Sequence, residues 1–405
     1  MVVLGWSQCG TDCAWSGFMA TVGDIFRAAF PAYAATHRLR RAARWAGGAI
    51  SVCRTAVLGG HAERCPDDHY IRSHYNSCKH RACPQCGGLE TERWLRKQMA
   101  RYALSCSYRH VVFTVPRELI PVWRYNRSLF SNLMFQSAKE VLLKLLGDAR
   151  YLGALPGIVG TLHTWGRSGI EHLHLHFLVT LGGWTEAGWR ALTGKYFVPY
   201  DVLRESFRDR LVVLLRRALE RRELVIPGDT DAATLDEELE RLGTIDWHVR
   251  AMDPYEGGEG VLKYFSRYVR GGPIRNVQIE GFDGQQVTYR YYHHETGECG
   301  TEELAVEEFI RRILEHVPEK GFRTVRYYGL FSQSRRRDLT ACREALGMAP
   351  YRAPKKLTVA GFLALFNVRV VTECPVCHKL LVREELAPVR VHDPPPVGAG
   401  YSRAA

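Results

Sequence analysis

Two histidines and two tyrosines carry the chemistry this sequence could perform. In His174-Leu175-His176, side chains on an extended strand alternate faces. His172, His174 and His176 therefore project one way, while Leu173, Leu175, Phe177 and Val179 project the other and anchor the strand in a core. Two imidazoles about 7 Å apart along a strand can converge on one cation. The third ligand is expected from His163, eleven residues before His174, because Gly166 and Gly169 allow a turn that brings it opposite the pair. Neutral imidazoles bind divalent transition ions, and a site open to solvent also holds Mg2+ or Mn2+ when a substrate phosphate completes the shell.

The stretch Gly260 to Arg270 repeats with a helical period. At about 100° per residue, Val261, Leu262, Phe265 and Val269 fill an apolar sector, and Lys263, Arg267 and Arg270 fill a cationic one. Tyr264 and Tyr268, at i and i+4, share the edge between the two. That edge suits a nucleophile that must be held rigidly and still meet a phosphodiester. A free phenol titrates near ~10, so cationic neighbours and a metal on the scissile phosphate are needed to favour phenolate. Attack on phosphorus would then leave a phosphotyrosine that preserves the bond for rejoining. Lys263, Arg267 and Arg270 are the expected phosphate contacts. Without the histidines, a tyrosine pair of this kind reads as ordinary amphipathic packing.

A second chemistry lies upstream. Cys53, Cys65, Cys78, Cys83 and Cys86 fall within 34 residues, in a stretch dense in Cys, His, Gly and Pro and too polar to fold around an apolar core. It needs a staple. In Cys83-Pro84-Gln85-Cys86 the two-residue gap lets both thiolates face one tetrahedral Zn2+ about 2.3 Å away. Cys78 and Cys65 are the expected partners, which makes Cys65, Cys78, Cys83 and Cys86 the predicted zinc ligands. Cys374-Pro375-Val376-Cys377 is half of a similar motif with no evident partner, and Cys9 and Cys13 are weaker still.

Elements must position these groups. Arg109 to Val115 alternates and is β-branched, as do Ile158 to Trp165 and Leu173 to Val179, the latter two forming a hairpin. Helices are expected in the lead-in before residue 45, at Leu89–Ala103, Leu119–Leu146 and Arg204–Glu223, and at Gly260–Val269, stopped by Gly271-Gly272-Pro273. Gly228 to Glu240 reads as an acidic insertion, Gln285–Tyr292 and Arg323–Tyr328 as later strands, and the Pro/Gly-rich end from Pro394 as disordered. The 405 residues are 46% hydrophobic and 24% charged, with no run of 18 apolar residues, which excludes disordered, collagen-like and membrane-spanning classes. Two or three domains are expected at roughly 100 to 200 residues each. The net charge is +12, and arginine outnumbers lysine 45 to 10. Arginine grips phosphate with a planar fork and stacks on bases, so nucleic acid is the expected partner rather than a membrane. Twelve cysteines without a secretory signal point to a reducing compartment, the cytoplasm, where clustered thiols hold metals. No residue pattern sets an oligomeric state.

Together, His174-Leu175-His176 and Tyr264-x-x-x-Tyr268 resemble the two-tyrosine branch of the HUH endonucleases. More closely, residues 24 to 377 resemble the rolling-circle transposases of the insertion sequence 91 family, through the order and spacing of several strings. These are Cys53-Arg54-Thr55-Ala56, Gly59-Gly60-His61, Asn76-Ser77-Cys78, Cys83-Pro84-Gln85-Cys86, His110-Val111-Val112-Phe113-Thr114, Leu162-His163-Thr164-Trp165-Gly166 and Tyr327-Tyr328-Gly329-Leu330. The resemblance implies a transposase that nicks one strand at an element end, stays joined to the 5′ phosphate through tyrosine, and moves single-stranded DNA. It assigns His174 and His176 as ligands and Tyr264 and Tyr268 as nucleophiles, and similarity to relaxases adds His163. The family usually has a second Cys-x-x-Cys starting at Cys65, where this chain has Asp68. Asp68, His69, His61 or Cys53 could each supply the missing ligand. Ala82 stands where a family histidine is common.

The expected fold is α+β: an HUH core over 105–335 with a mainly antiparallel sheet flanked by helices, a zinc-binding DNA-recognition domain over 1–104, and a basic C-terminal region over 336–405. A plasmid relaxase or replication initiator is the near alternative. A non-catalytic zinc-dependent DNA-binding protein is the distant one.

Overall fold

Alternation of apolar and polar residues and strong β-branched content make the strands around the histidines, and their pairing builds the largest of three sheets among the described residues. The computed structural model describes residues 20–166, 170–193, 197–228, 230–292, 298–368 and 370–389, apart from the side chains of Arg267, Tyr268, Val269 and Tyr292. The predicted turn residues 167–169, Cys9, Cys13 and the end from Pro394 lie outside the described residues. The chain divides into two units, one drawn from Met1–Arg93, Arg270–Val317 and Lys355–Ala405, the other from Trp94–Val269 and Pro318–Pro354. The first is called the terminal unit below and the second the sheet unit.

In the sheet unit, strands run in the order Val325–Gly329, Leu155–Trp165, Glu171–Thr185, Ser107–Thr114 and Val249–Ala251, all antiparallel, with short strands Gly188–Ala191 and Tyr255–Glu256 added at the side. One face buries Val111, Phe113, Leu173, Leu175, Phe177 and Val179 under helices Arg127–Gly147 and Tyr200–Glu220. The opposite face buries Tyr108, Val159 and Leu178 with Val261, Leu262 and Phe265 of helix Glu259–Val269. An antiparallel sheet flanked by helices is the expected α+β fold.

The acidic stretch after Gly228 departs from its reading as an insertion. Residues Ala232–Thr244 form a helix, capped by the Asp231 carboxylate accepting from Thr234 N–H at 2.8 Å. Leu235, Leu239 and Leu242 recur at helical spacing and are buried, so the acidic residues are only the solvent side of an amphipathic helix.

Gly329, at the end of Tyr327-Tyr328-Gly329, shows a backbone demand. Its φ is +58°, and a Cβ built on it would lie 2.0 Å from the carbonyl oxygen of Pro156. That oxygen already accepts from Leu330 N–H at 2.9 Å. Gly329→Ala is expected to destabilise the sheet unit by about 3 kcal/mol or more, combining left-handed strain with backbone displacement. A thermal melt of the purified variant checks it.

The terminal unit is interleaved along the chain. Helices Val22–Thr36 and Arg41–Val52 share one core with strands Ile279–Phe282 and Gln286–Tyr292 and helix Val306–Glu315, through Ile25, Phe26, Phe30, Ile50, Val287, Tyr289, Phe309 and Ile313. Thr21 and Asp24 close the first helix with a capping box. Arg40 donates to the carbonyls of Leu314, Glu315 and Val317, so part of the basic run 38–44 caps a helix end instead of facing solvent. The division at 104 and 335 is therefore not where the structure divides. Changes of composition along the chain do not reveal that Arg270–Val317 and the segment from Lys355 belong with the N-terminal helices, because their apolar faces only become complementary when folded. Among the described residues, no helix is long and apolar enough to cross a membrane.

Candidate active site and metal centres

The three predicted histidines meet on one face of the large sheet. His163 pairs directly with His174 across neighbouring strands, and Thr161 pairs with His176. Register thus decides the meeting, because facing residues of antiparallel strands share a side of the sheet. The His163 ring centroid lies 5.2 Å from that of His174 and 4.0 Å from that of His176. All three are buried, and one nitrogen from each lies within 4.8 Å of the others. Burial holds His163 and His176 well below the ordinary imidazole value and brings His174 down to about 3. At neutral pH all three are uncharged, the state that offers lone pairs to a cation. A set of three neutral imidazoles fits a divalent metal.

Two hydrogen bonds determine which ring nitrogens are left over for a cation. His174 Nδ1 lies 2.7 Å from the carbonyl oxygen of His172, so it donates there and leaves Nε2 for a metal. His176 Nδ1 lies 2.7 Å from His110 Nε2. His110 comes from the neighbouring strand Ser107–Thr114 and is itself lowered to about 4 by burial. In the sequence, His110 stands within the string His110-Val111-Val112-Phe113-Thr114 with no spacing that ties it to the histidine trio. Its signal was available in the alternation of His110, Val112 and Thr114 on one face, but the strand that faces it was not. His110→Ala is expected to weaken divalent metal binding by ~10–100-fold with little change in fold, since the partner that orients a ligating imidazole is lost. Calorimetric titration with Mn2+ checks this.

Tyr264 lies at the same face. Its ring centroid is 5.5 Å from His176, 6.1 Å from His163 and 5.8 Å from His110. Leu262 and Phe265 seat its helix on the sheet, so the apolar sector of the helix aims the tyrosine edge at the histidines. Lys263 on the same helix is exposed. Tyr268 and Arg267 belong to this helix, and their side chains lie outside the described residues. Arg270 follows the helix and belongs to the terminal unit, where its guanidinium lies 3.5 Å from the Lys79 carbonyl and Gly271 N–H donates to Arg81 at 2.9 Å. Glycines after Val269 end the helix before Arg270 can continue its cationic stripe.

In the terminal unit the structure gathers Cys53, Cys78, Cys83 and Cys86, with sulfurs within 4.8 Å of one another. Cys78 Sγ and Cys86 Sγ are 3.7 Å apart, close to the ~3.8 Å edge of a tetrahedron with Zn–S bonds of about 2.3 Å. Hydrogen bonding to the Cys53 sulfur holds the Cys78 and Cys83 thiols far above the ordinary thiol value. The same hydrogen bonding among the sulfurs holds Cys53 and Cys86 below that value, and a donor set of four clustered sulfurs fits zinc, which would displace the protons that remain. The expected grouping of Cys65 with Cys78, Cys83 and Cys86 is corrected here: Cys53 takes that place. Cys53 ends helix Arg41–Val52 and is buried in the same core as Ala46 and Ile50, whereas Cys65 is carried away by strand Gly60–Arg64. Asp68 joins neither group, because its exposed carboxylate meets Arg64 at 2.8 Å.

A family model described as "Putative transposase" matches residues 157–338, which include the three histidines and both tyrosines. A model described as "Transposase zinc-binding domain" matches residues 25–115, which include the whole cysteine quartet. The chain is 35% identical over 372 residues to "Putative transposase y4qJ" of Sinorhizobium fredii, covering 88% of this chain and 93% of that one. It is 31% identical over 329 residues to "Transposase for insertion sequence element IS801" of Pseudomonas savastanoi pv. phaseolicola, covering 78% and 77%. No solved structure matches the chain. With this coverage, the chain belongs to the IS91 family of transposases, enzymes that bind and cleave DNA.

Proposed function

We propose that this transposase cleaves and rejoins single-stranded DNA at element ends by a rolling-circle route through a 5′-phosphotyrosine. The observation that carries the proposal is the Tyr264 ring 5.5 Å from His176 and 6.1 Å from His163, on a helix whose apolar side is locked to the sheet. Tyr264 Oη attacks phosphorus, the P–O3′ bond breaks, and the 3′ oxygen leaves as a hydroxyl with the proton that the phenol gives up. The chain keeps the 5′ phosphate as an ester, so a later attack by a 3′ hydroxyl restores a phosphodiester and frees the tyrosine. Mg2+ or Mn2+ bound by His163, His174 and His176 would supply Lewis-acid polarisation of the scissile phosphate. Lys263, exposed beside Tyr264 in sequence, offers a cation for the backbone, and Arg267 and Arg270 extend that role along the strand. Tyr268, one turn on, is assigned to take the second strand. The cysteine-rich module is assigned to recognition of the element end, a role in keeping with the relative described as a transposase for an insertion sequence element.

The test is incubation of the full chain with an oligonucleotide of the element end and Mn2+. A covalent protein–DNA adduct is expected, absent with a duplex alone and lost in the Tyr264→Phe, Tyr268→Phe double variant. An adduct that persists in the double variant overturns the assignment.

A further inference from the structure

The terminal unit holds a second cluster that the catalytic and quartet chemistry leave unused. Strand Gly60–Arg64 pairs on one side with Ile71–Tyr75 and on the other with Val382–Leu386, more than three hundred residues later. This three-stranded sheet has almost no core of its own: among its fifteen strand residues, Ala62 alone is buried. Three short strands need an apolar face or another staple to persist. Yet the end of the sheet buries two sulfurs, Cys65 and Cys374, both free thiols.

The two turns that carry these sulfurs are built alike. Cys65 N–H donates to the Tyr70 carbonyl and Cys374 N–H donates to the Lys379 carbonyl, each at 2.8 Å and each across five residues. The sulfur of each first cysteine accepts a backbone N–H two residues on, from Asp67 and from Val376, both at 3.4 Å. Each turn contains one residue with left-handed φ, Asp68 at +56° and His378 at +61°. The first turn then presents His69, with Nδ1 at 3.8 Å from Cys65 Sγ, and the second presents Cys377, with Sγ at 3.4 Å from Cys65 Sγ. Donor atoms from all four residues lie within 4.8 Å of one another. An ion pair between Lys379 and Asp67 at 2.7 Å fastens the turns beside the sulfurs.

We propose that Cys65, His69, Cys374 and Cys377 form a second tetrahedral metal site, of three thiolates and one imidazole, that takes zinc and staples the C-terminal strand to the N-terminal hairpin. Soft thiolate donors with one imidazole select zinc over Mg2+ or Ca2+, and backbone N–H groups pointing at the sulfurs stabilise them as thiolates. The site explains how the chain manages without the Cys-x-x-Cys that its family usually begins at Cys65. His69, one residue beyond Asp68, supplies a ligand, and the later Cys-x-x-Cys supplies two. It also gives the half motif at Cys374 a partner that spacing along the chain could not reveal. The first and last ligands are 312 residues apart, so the metal closes a loop containing the entire sheet unit. The site is complete only when nearly all of the chain has been made.

The full-length protein, purified without chelator, is expected to contain two zinc ions per chain by elemental analysis. Cys377→Ser is expected to contain one. Because a serine variant could simply misfold, the deciding variant is His69→Cys. Exchanged into cobalt, it is expected to keep two ions and to raise sulfur-to-cobalt charge-transfer absorbance by about one-seventh, as seven Co–S bonds become eight. One zinc per wild-type chain overturns the site. So does a cobalt spectrum unchanged by His69→Cys, or a wild-type mass two hydrogens light with Cys65 joined to Cys377.

Discussion

His176→Ala is expected to reduce single-strand cleavage by on the order of 10³-fold while leaving the sheet unit folded. The side chain is buried, hydrogen-bonded to His110, and lies 4.0 Å from the His163 ring and 5.5 Å from the Tyr264 ring. In the proposed reaction it is the member of the trio that would join the metal, the orienting partner and the attacking tyrosine. Losing one of three protein ligands removes most metal at ordinary concentrations, and with it several kcal/mol of charge stabilisation at phosphorus, where each ~1.4 kcal/mol is tenfold in rate. The fold should survive because the strand is anchored from its other face by Leu175, Phe177 and Val179, all fully buried. A change of roughly 1–3 kcal/mol in stability is expected, as for a buried truncation. The measurement is single-turnover cleavage of an end oligonucleotide at saturating Mn2+, with a thermal melt in parallel. Cleavage within tenfold of wild type would remove His176 from the reaction, and loss of the melting transition would make the effect structural.

Cys83→Ser is expected to unfold the terminal unit and leave the sheet unit standing. Cys83 is fully buried and shares its core with Phe26, Phe30 and Ile50, so the metal ties the hydrophobic core to the polar cysteine-rich loop. Structural zinc of this kind contributes about 10–16 kcal/mol of binding free energy, comparable with the ~5–15 kcal/mol by which whole domains are stable. Losing one thiolate of four forfeits a large part of that margin. The terminal unit should then melt more than about 10 °C lower, or show no cooperative transition, with early proteolysis confined to Met1–Arg93, Arg270–Val317 and the segment from Lys355. Excess chelator applied to the wild type should reproduce the pattern. Wild-type melting in the zinc-depleted variant would show that the apolar core suffices alone.

Much of the site was legible because strands and helices have short periods. Alternation along Leu173 to Val179 determines which side chains share a face with His174 and His176, whatever covers them. The helical period of Gly260 to Val269 determines that Tyr264 lies between an apolar sector and Lys263, and the apolar sector then determines which way the tyrosine turns when the helix docks. The two-residue gap of Cys83 and Cys86 determines that both can hold one ion. These are local facts, set by backbone geometry over a few residues.

Tertiary structure alone decided the pairings. Strand register placed His163 opposite His174, and a third strand brought His110 against His176. The end of helix Arg41–Val52 delivered Cys53 to the quartet, while strand Gly60–Arg64 carried Cys65 to a turn from the far end of the chain. In the same way Arg270 went to the terminal unit, and Leu235, Leu239 and Leu242 turned an acidic stretch into a packed helix. Spacing along the chain measures contour length, whereas these meetings depend on which apolar faces cover one another, and that complementarity exists only after the chain has collapsed.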